Sequence, residues 1–236
     1  MRSRPDSALG LLAWLDGRAA RTVRVGVLVP WANVAVEGEL PLLDLTRSAF
    51  HYARLVPASR TTAVDEAFLV GLRRAAGIAV DSLRHVPLDG TVMACTSAGF
   101  TAGPALPPGI ISAFDALVGS LRALGARHIV LAAPYPDEVT YDEVVALEEA
   151  GLSVLAHISL GLDDGYPDIP VTQVEDLVHR LPTEAVHAAD AVVLSCTGWH
   201  TLAYVRRLEQ ELGKPVVSSN LAMALHAARL SAGVIT

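Results

Sequence analysis

Arg24-Val25-Gly26-Val27-Leu28-Val29-Pro30-Trp31 returns later in the chain as His128-Ile129-Val130-Leu131-Ala132-Ala133-Pro134-Tyr135. Each is a nearly continuous apolar run closed by a proline and an aromatic residue. Such runs suit a strand covered on both faces of a parallel sheet. A second pair repeats in the same order. Thr91-Val92-Met93-Ala94 leads into Cys95-Thr96-Ser97, and Ala191-Val192-Val193-Leu194-Ser195 leads into Cys196-Thr197-Gly198. Pro30 to Cys95 and Pro134 to Cys196 span nearly the same length of chain. The pattern is that of a duplicated α/β unit folded as two similar lobes.

Outward from these runs, shorter strand candidates lie at Phe50 to Val56, Ser153 to Ile158 and Pro215 to Val217. Helical spacing of apolar residues marks Ile111 to Leu124, which stops at Gly125, and then Tyr141 to Ala150, Val171 to Arg180, Leu202 to Leu212 and Leu221 to Leu230. Strands alternating with helices imply parallel sheets with helices on both faces. The expected division is an N-terminal extension over 1–22, a first lobe over 23–105 and a second over 106–218. The last helix, about 219–236, is expected to pack back on the first lobe. Ligands of open parallel sheets bind beyond the carboxyl ends of the strands. Pro30, Cys95, Pro134 and Cys196 should therefore face one cleft between the lobes.

The chain is 52% hydrophobic and 18% charged, enough to bury a substantial core. Its net charge of −7, with no basic run or stripe, argues against a nucleic-acid partner but not against a small anion. No apolar run is long enough to cross a membrane. Arg2 and Arg4 followed by Ala8 to Leu15 mimic a short signal peptide, but Asp16 and Arg18 interrupt it. An amphipathic helix docked on the body or on a partner subunit is the expected form. The two cysteines make neither a disulfide framework nor a metal-ligand pattern, so no metal is expected and a reducing cytoplasm fits. No glycine-rich nucleotide fingerprint is present.

A thiol at a strand end meets backbone N–H groups of the following turn, which stabilise a thiolate and bind a carboxylate. A lone buried cysteine is usually a small core residue. Two cysteines at equivalent points of a repeat, each followed by hydroxylic or small residues, point instead to a thiol on each face of one small carboxylate. Asn33 reads first as a helix cap, with its amide as a second possibility for binding. Tyr135 has a hydroxyl at a strand end, His200 reads as a solvated residue, and Ser218-Ser219-Asn220 as the start of the last helix. Asp163-Asp164-Gly165 reads as a turn.

In order, Val25-Gly26-Val27-Leu28-Val29-Pro30 with Asn33 and Glu37, Ala94-Cys95-Thr96-Ser97, Pro134-Tyr135 with Val139, Leu194-Ser195-Cys196, and Pro215-Val216-Val217-Ser218-Ser219-Asn220 resemble the maleate cis-trans isomerase and arylmalonate decarboxylase branch of the aspartate/glutamate racemase superfamily. The resemblance runs from about Val23 to the end. It implies two Rossmann-like lobes related by a pseudo-twofold axis, a cofactor-independent site between them, and a homodimer or higher homo-oligomer. Carried over, Cys95 is the nucleophile that adds to a cis-dicarboxylate and Cys196 the proton donor and acceptor. Asn33, Thr96, Ser97, Tyr135 and Thr197, with Pro30 and Gly198 beside them, hold the carboxylates. Racemases of the superfamily use both thiols as bases, whereas the decarboxylases keep only the second cysteine and have glycine at the first. Two positions depart from the isomerase pattern. No asparagine follows Leu160-Gly161-Leu162, where Asp163 and Asp164 stand instead, and Trp31 replaces small hydroxylic residues. The expected function is isomerisation of a small dicarboxylate, with a racemase or an arylmalonate-type decarboxylase as alternatives and a non-catalytic ligand sensor behind them.

Overall fold

The computed structural model describes residues 6–58, 63–101 and 103–234. In chain order the elements are α1 (Ala8–Asp16), β1 (Val23–Pro30), α2 (Ala35–Glu39), β2 (Ser48–Leu55), α3 (Glu66–Asp81), β3 (Gly90–Met93), α4 (Ser97–Phe100), β4 (Ile110–Ser112), α5 (Ala113–Leu124), β5 (His128–Ala133), α6 (Asp137–Glu149), β6 (Ser153–Ser159), α7 (Val171–His179), α8 (Thr183–Ala188), β7 (Ala191–Leu194), α9 (Leu202–Leu212), β8 (Val216–Ser218) and α10 (Ser219–Ser231). They form two four-stranded sheets of the same order, β2-β1-β3-β4 and β6-β5-β7-β8. The strands pair in parallel throughout. The chain is thus an α/β protein built from two similar parallel sheets with flanking helices.

The registers of the two sheets match. Met93 pairs with Leu28 in the first, and Leu194 pairs with Ala132 in the second. The next amide after each strand reaches back in the same way: Ala94 N–H to Leu28 O at 2.8 Å, and Ser195 N–H to Ala132 O at 2.9 Å. Cys95 and Cys196 therefore leave their sheets at equivalent points, beside Pro30 and Pro134. The central strands are buried almost end to end, as expected of strands covered on both faces.

The helix read from Ile111 begins later, because Ile110–Ser112 adds as β4 to β3 and Ser112 becomes the N-cap of α5. Ser112 and Asp115 form a capping box, which satisfies two otherwise orphaned groups of the first turn. The helix read from Tyr141 starts one turn earlier, at Asp137. α3 was not marked in the sequence; its start is capped by Asp65, which accepts from the Phe68 N–H at 2.7 Å. α1 docks on the body, against α10, and its Ala8 N–H donates to Glu209 at 2.5 Å. Arg2 and Arg4 lie outside the described residues. α10 also lies along α5 and touches strands of both sheets, so its buried first turns cross the junction of the two halves. No described helix is long and apolar enough to cross a membrane.

One glycine lies against both the first cysteine loop and the α5 cap. A β-carbon on Gly99 would lie 2.5 Å from Ser112 Oγ and 2.7 Å from Phe114 Cβ. Gly99→Ala is expected to cost about 1–3 kcal/mol through overpacking. Gly77, inside α3, has nothing within 4 Å of such a carbon. Gly77→Ala is expected to gain roughly 0.5–1 kcal/mol from helix propensity. Thermal unfolding of the two variants should move Tm in opposite directions.

Candidate active site

Beyond the carboxyl ends of β1, β3, β5 and β7 lies a small cleft. Pro30, Asn33, Cys95, Thr96, Ser97, Tyr135, Cys196, Thr197 and Gly198 all line it. Its apolar lining was not read from the sequence. It is built by Ala32, Val64, Phe68, Tyr166 and Pro167, with Asp164 at the mouth. Tyr166 packs edge-on against Tyr135 with ring centroids 5.9 Å apart, and its hydroxyl donates to Leu162 O at 3.0 Å. Trp31 is half-buried against the core of the first lobe and does not line the cleft. His200 is exposed.

The thiols are 7% and 5% exposed, so solvent reaches each only through the cleft. The Cys95 sulfur faces the backbone N–H groups of Ser97 and Ala98, and the Ser97 hydroxyl at 3.6 Å. The Cys196 sulfur accepts from the Gly198 N–H at 3.2 Å and has the Tyr135 hydroxyl beside it. The sequence suggested that such amides hold thiolates. Burial outweighs them here: desolvation raises the Cys95 thiol and pushes Cys196 up to about 12. Both resting side chains are therefore neutral thiols at neutral pH. The Tyr135 hydroxyl is pushed well up by burial and the nearby thiols, with the Cys196 sulfur as its polar neighbour.

Cys196 has φ of +103°, in the left-handed region that favours glycine. Such a conformation costs on the order of 1–3 kcal/mol and persists only where its neighbours impose it. They do so on three sides. The Cys196 N–H donates to Ser219 Oγ at 3.1 Å. The Ser195 N–H is held by β5, and the Ser195 hydroxyl donates to Glu143 at 2.5 Å. In return, the turn brings the Gly198 N–H back onto the sulfur.

Asn33 takes the capping role, and its amide is engaged by Thr197. Its Oδ1 accepts from the Val36 N–H at 3.2 Å, and its amide donates to Thr197 O and Oγ1 at 3.1 and 3.2 Å. The Thr197 hydroxyl in turn donates to Ala94 O at 2.7 Å, and the Thr96 hydroxyl to Ser219 Oγ at 2.9 Å. These three side chains lock one cysteine loop onto the other, so Ser97 and Tyr135 are the hydroxyls left to face a ligand. Beneath them, buried Glu39 accepts from the Thr201 and Leu202 N–H groups at 2.6 and 2.7 Å, at the start of α9. It also accepts from Asn220 at 2.6 Å. Burial raises its carboxyl while these bonds oppose the rise. Ser219, Asn220 and Glu39 gave no sign of this role in sequence, because their partners lie far along the chain. Among the described residues no cluster of histidine, cysteine or carboxylate side chains could hold a metal ion.

A family model described as arylmalonate decarboxylase matches residues 97–233. The chain is 31% identical over 224 residues to the arylmalonate decarboxylase of Bordetella bronchiseptica, covering 91% of this chain and 92% of that protein. It is 27% identical over 228 residues to the maleate isomerase of Geobacillus stearothermophilus, covering 85% and 88%. Among solved structures it is similar to a cysteine-to-serine mutant of the Nocardia farcinica maleate cis-trans isomerase with a covalently bound succinylcysteine intermediate. That likeness has a TM-score of 0.78 and 25% identity, and covers 89% of this chain and 92% of that one.

Ser219→Ala would leave the buried Cys196 N–H without an acceptor and free the Thr96 hydroxyl. The expected loss is about 1–3 kcal/mol of stability, read as a lower urea midpoint. An unchanged midpoint would mean that the bridge contributes nothing.

Proposed function

The chain belongs to the arylmalonate decarboxylase family, and we propose that within it this protein is a cofactor-independent isomerase that turns a small cis-dicarboxylate of maleate type into its trans form. One observation carries the reading: the two thiols close equivalent strands and line the same cleft. A dedicated decarboxylase needs one.

The surroundings divide the labour. Cys95 has two backbone N–H groups and a hydroxyl directed at its sulfur, so of the two it is the better supported as a thiolate. Cys196, with a single amide and pushed up to about 12, keeps its proton. Cys95 first loses its proton to solvent in the cleft, and its thiolate then adds to one olefinic carbon. The displaced electron pair moves toward the neighbouring carbon and its carboxylate, and that carbon takes the proton from Cys196. The former double bond is then single and rotates. The Cys196 thiolate removes a proton again, the double bond reforms, and the Cys95 thiolate leaves and recovers its proton from solvent. Every proton and electron pair is returned, so no co-reactant is consumed. Tyr135 and Ser97 donate to the carboxylates, and the loop amides add to the same field. The succinylcysteine seen in the Nocardia relative is what addition of a thiol to maleate yields.

A second reading has its own observation. Val64, Phe68, Tyr166 and Pro167 offer an apolar wall, and Asp164 at the mouth disfavours a second carboxylate there. A substrate with one apolar substituent would suit that half of the cleft. The same thiols would then act on a carbon acid, as a racemase or an arylmalonate-type decarboxylase.

Maleate turnover is followed as fumarate formation without added cofactor. Cys95→Ala and Cys196→Ala are each expected to lower it by at least about a hundredfold. Intact mass of Cys196→Ala with maleate should reveal a thioether adduct on Cys95. No fumarate, but carbon dioxide from arylmalonates or deuterium exchange into α-substituted acids, would replace this reading with the second.

A further inference from the structure

We propose that Glu143 is a positioning residue whose buried carboxyl, working through Ser195, sets how readily Cys196 gives up and recovers its proton. The proposal rests on the reading of Cys196 as the acid/base. Glu143 lies on α6 with no exposed surface. One carboxyl oxygen accepts from the hydroxyl of Ser195, the residue immediately before Cys196, at 2.5 Å. The other is buried with no hydrogen-bond partner among the described residues. The carboxyl thus sits one residue from the strained Cys196 turn and holds it through a single hydrogen bond.

Its neighbours leave it without a counter-charge. Its charge is felt by Tyr135 and by Cys196, and it opposes the ionisation of both. Ser195 is its hydrogen-bond donor. α4, which packs on α6, carries no charged residue between Ser97 and Phe100. From β6, which also packs on α6, the titratable group is His157, and it is exposed. Within α6 itself, buried Thr140 is the polar residue one turn away. A carboxyl so placed stays protonated well past the usual range. Burial pushes it up to about 8, and the Ser195 hydrogen bond limits the rise.

The consequence has a definite sign. Below about 8 the carboxyl is neutral and leaves the Cys196 thiol to its other surroundings. As pH rises through that value, a negative charge appears near the sulfur, and the thiolate becomes harder to form. Glu143 therefore restrains the alkaline activation of Cys196.

The test needs no substrate. Alkylation of Cys196 by iodoacetamide is followed by peptide mass spectrometry across two pH units on either side of about 8. Cys95, on the other loop, is the internal reference. In the wild type the rate should rise with pH and lag above a break near that value. Glu143→Gln should rise without a break and label about tenfold faster above it, equivalent to one unit in thiol acidity. Ser195→Ala keeps the carboxyl but removes the bond that limits its rise, so its break should move to higher pH. Two results overturn the proposal: coincident profiles for wild type and Glu143→Gln, or a uniform change of rate in either variant with the break unmoved, the mark of a merely structural role. If maleate and arylmalonates are not turned over, the assigned function falls while a moved break still supports Glu143. If they are turned over and no break is seen, the Glu143 proposal falls alone.

Discussion

The Ser219 hydroxyl accepts from Thr96 Oγ1 at 2.9 Å and from the Cys196 amide at 3.1 Å. Thr96 follows the first cysteine, and Cys196 is the second. One buried oxygen, at the head of α10, thereby fixes the spacing of two loops from different sheets. The Thr197 hydroxyl on the Ala94 carbonyl and the Asn33 amide on Thr197 close the same junction. An unmade hydrogen bond at such depth costs more than a made one gains. The junction therefore tolerates few arrangements of the two sulfurs. That is the constraint from which the cleft follows.

Above this junction, burial and hydrogen bonding act on the thiols in opposite directions. Burial raises both, and the loop amides pull each back toward ionisation. The two loops differ in how much they pull. At Cys95 the amides of Ser97 and Ala98 converge, as at the start of a helix. At Cys196 the chain is bent into the left-handed region, and one amide, that of Gly198, returns to the sulfur. A repeated fold thus yields two thiols of different character. That difference is what a reaction needing both a nucleophile and a proton donor demands.

The likeness to both maleate isomerases and an arylmalonate decarboxylase has a physical counterpart in the cleft. One half is lined with hydroxyls and amides suited to carboxylate oxygens. The other is apolar and ends at Asp164. Stabilising negative charge next to a carboxylate is a need common to addition, proton abstraction and loss of carbon dioxide.

Much of this was legible in the residues alone. The twin apolar runs ending at Pro30 and Pro134, and the cysteines ending β3 and β7, carry the repeat because strands covered on both faces must be apolar at every position. The residues that touch the cleft from those strand ends followed directly. What stayed hidden depends on contacts far apart in sequence. β4 looks like helix until β3 offers it hydrogen-bond partners. Val64, Phe68 and Tyr166 are ordinary apolar residues until folding turns them onto one wall. Glu39, Glu143 and Ser219 are common polar residues whose meaning comes from being buried opposite particular donors. Local pattern determined the strands, the repeat and the thiols, because those follow from periodicity and strand ends. Tertiary structure decided the acidity of the thiols, the strained turn and the network behind them, because desolvation and hydrogen bonding depend on which distant groups share the same buried volume.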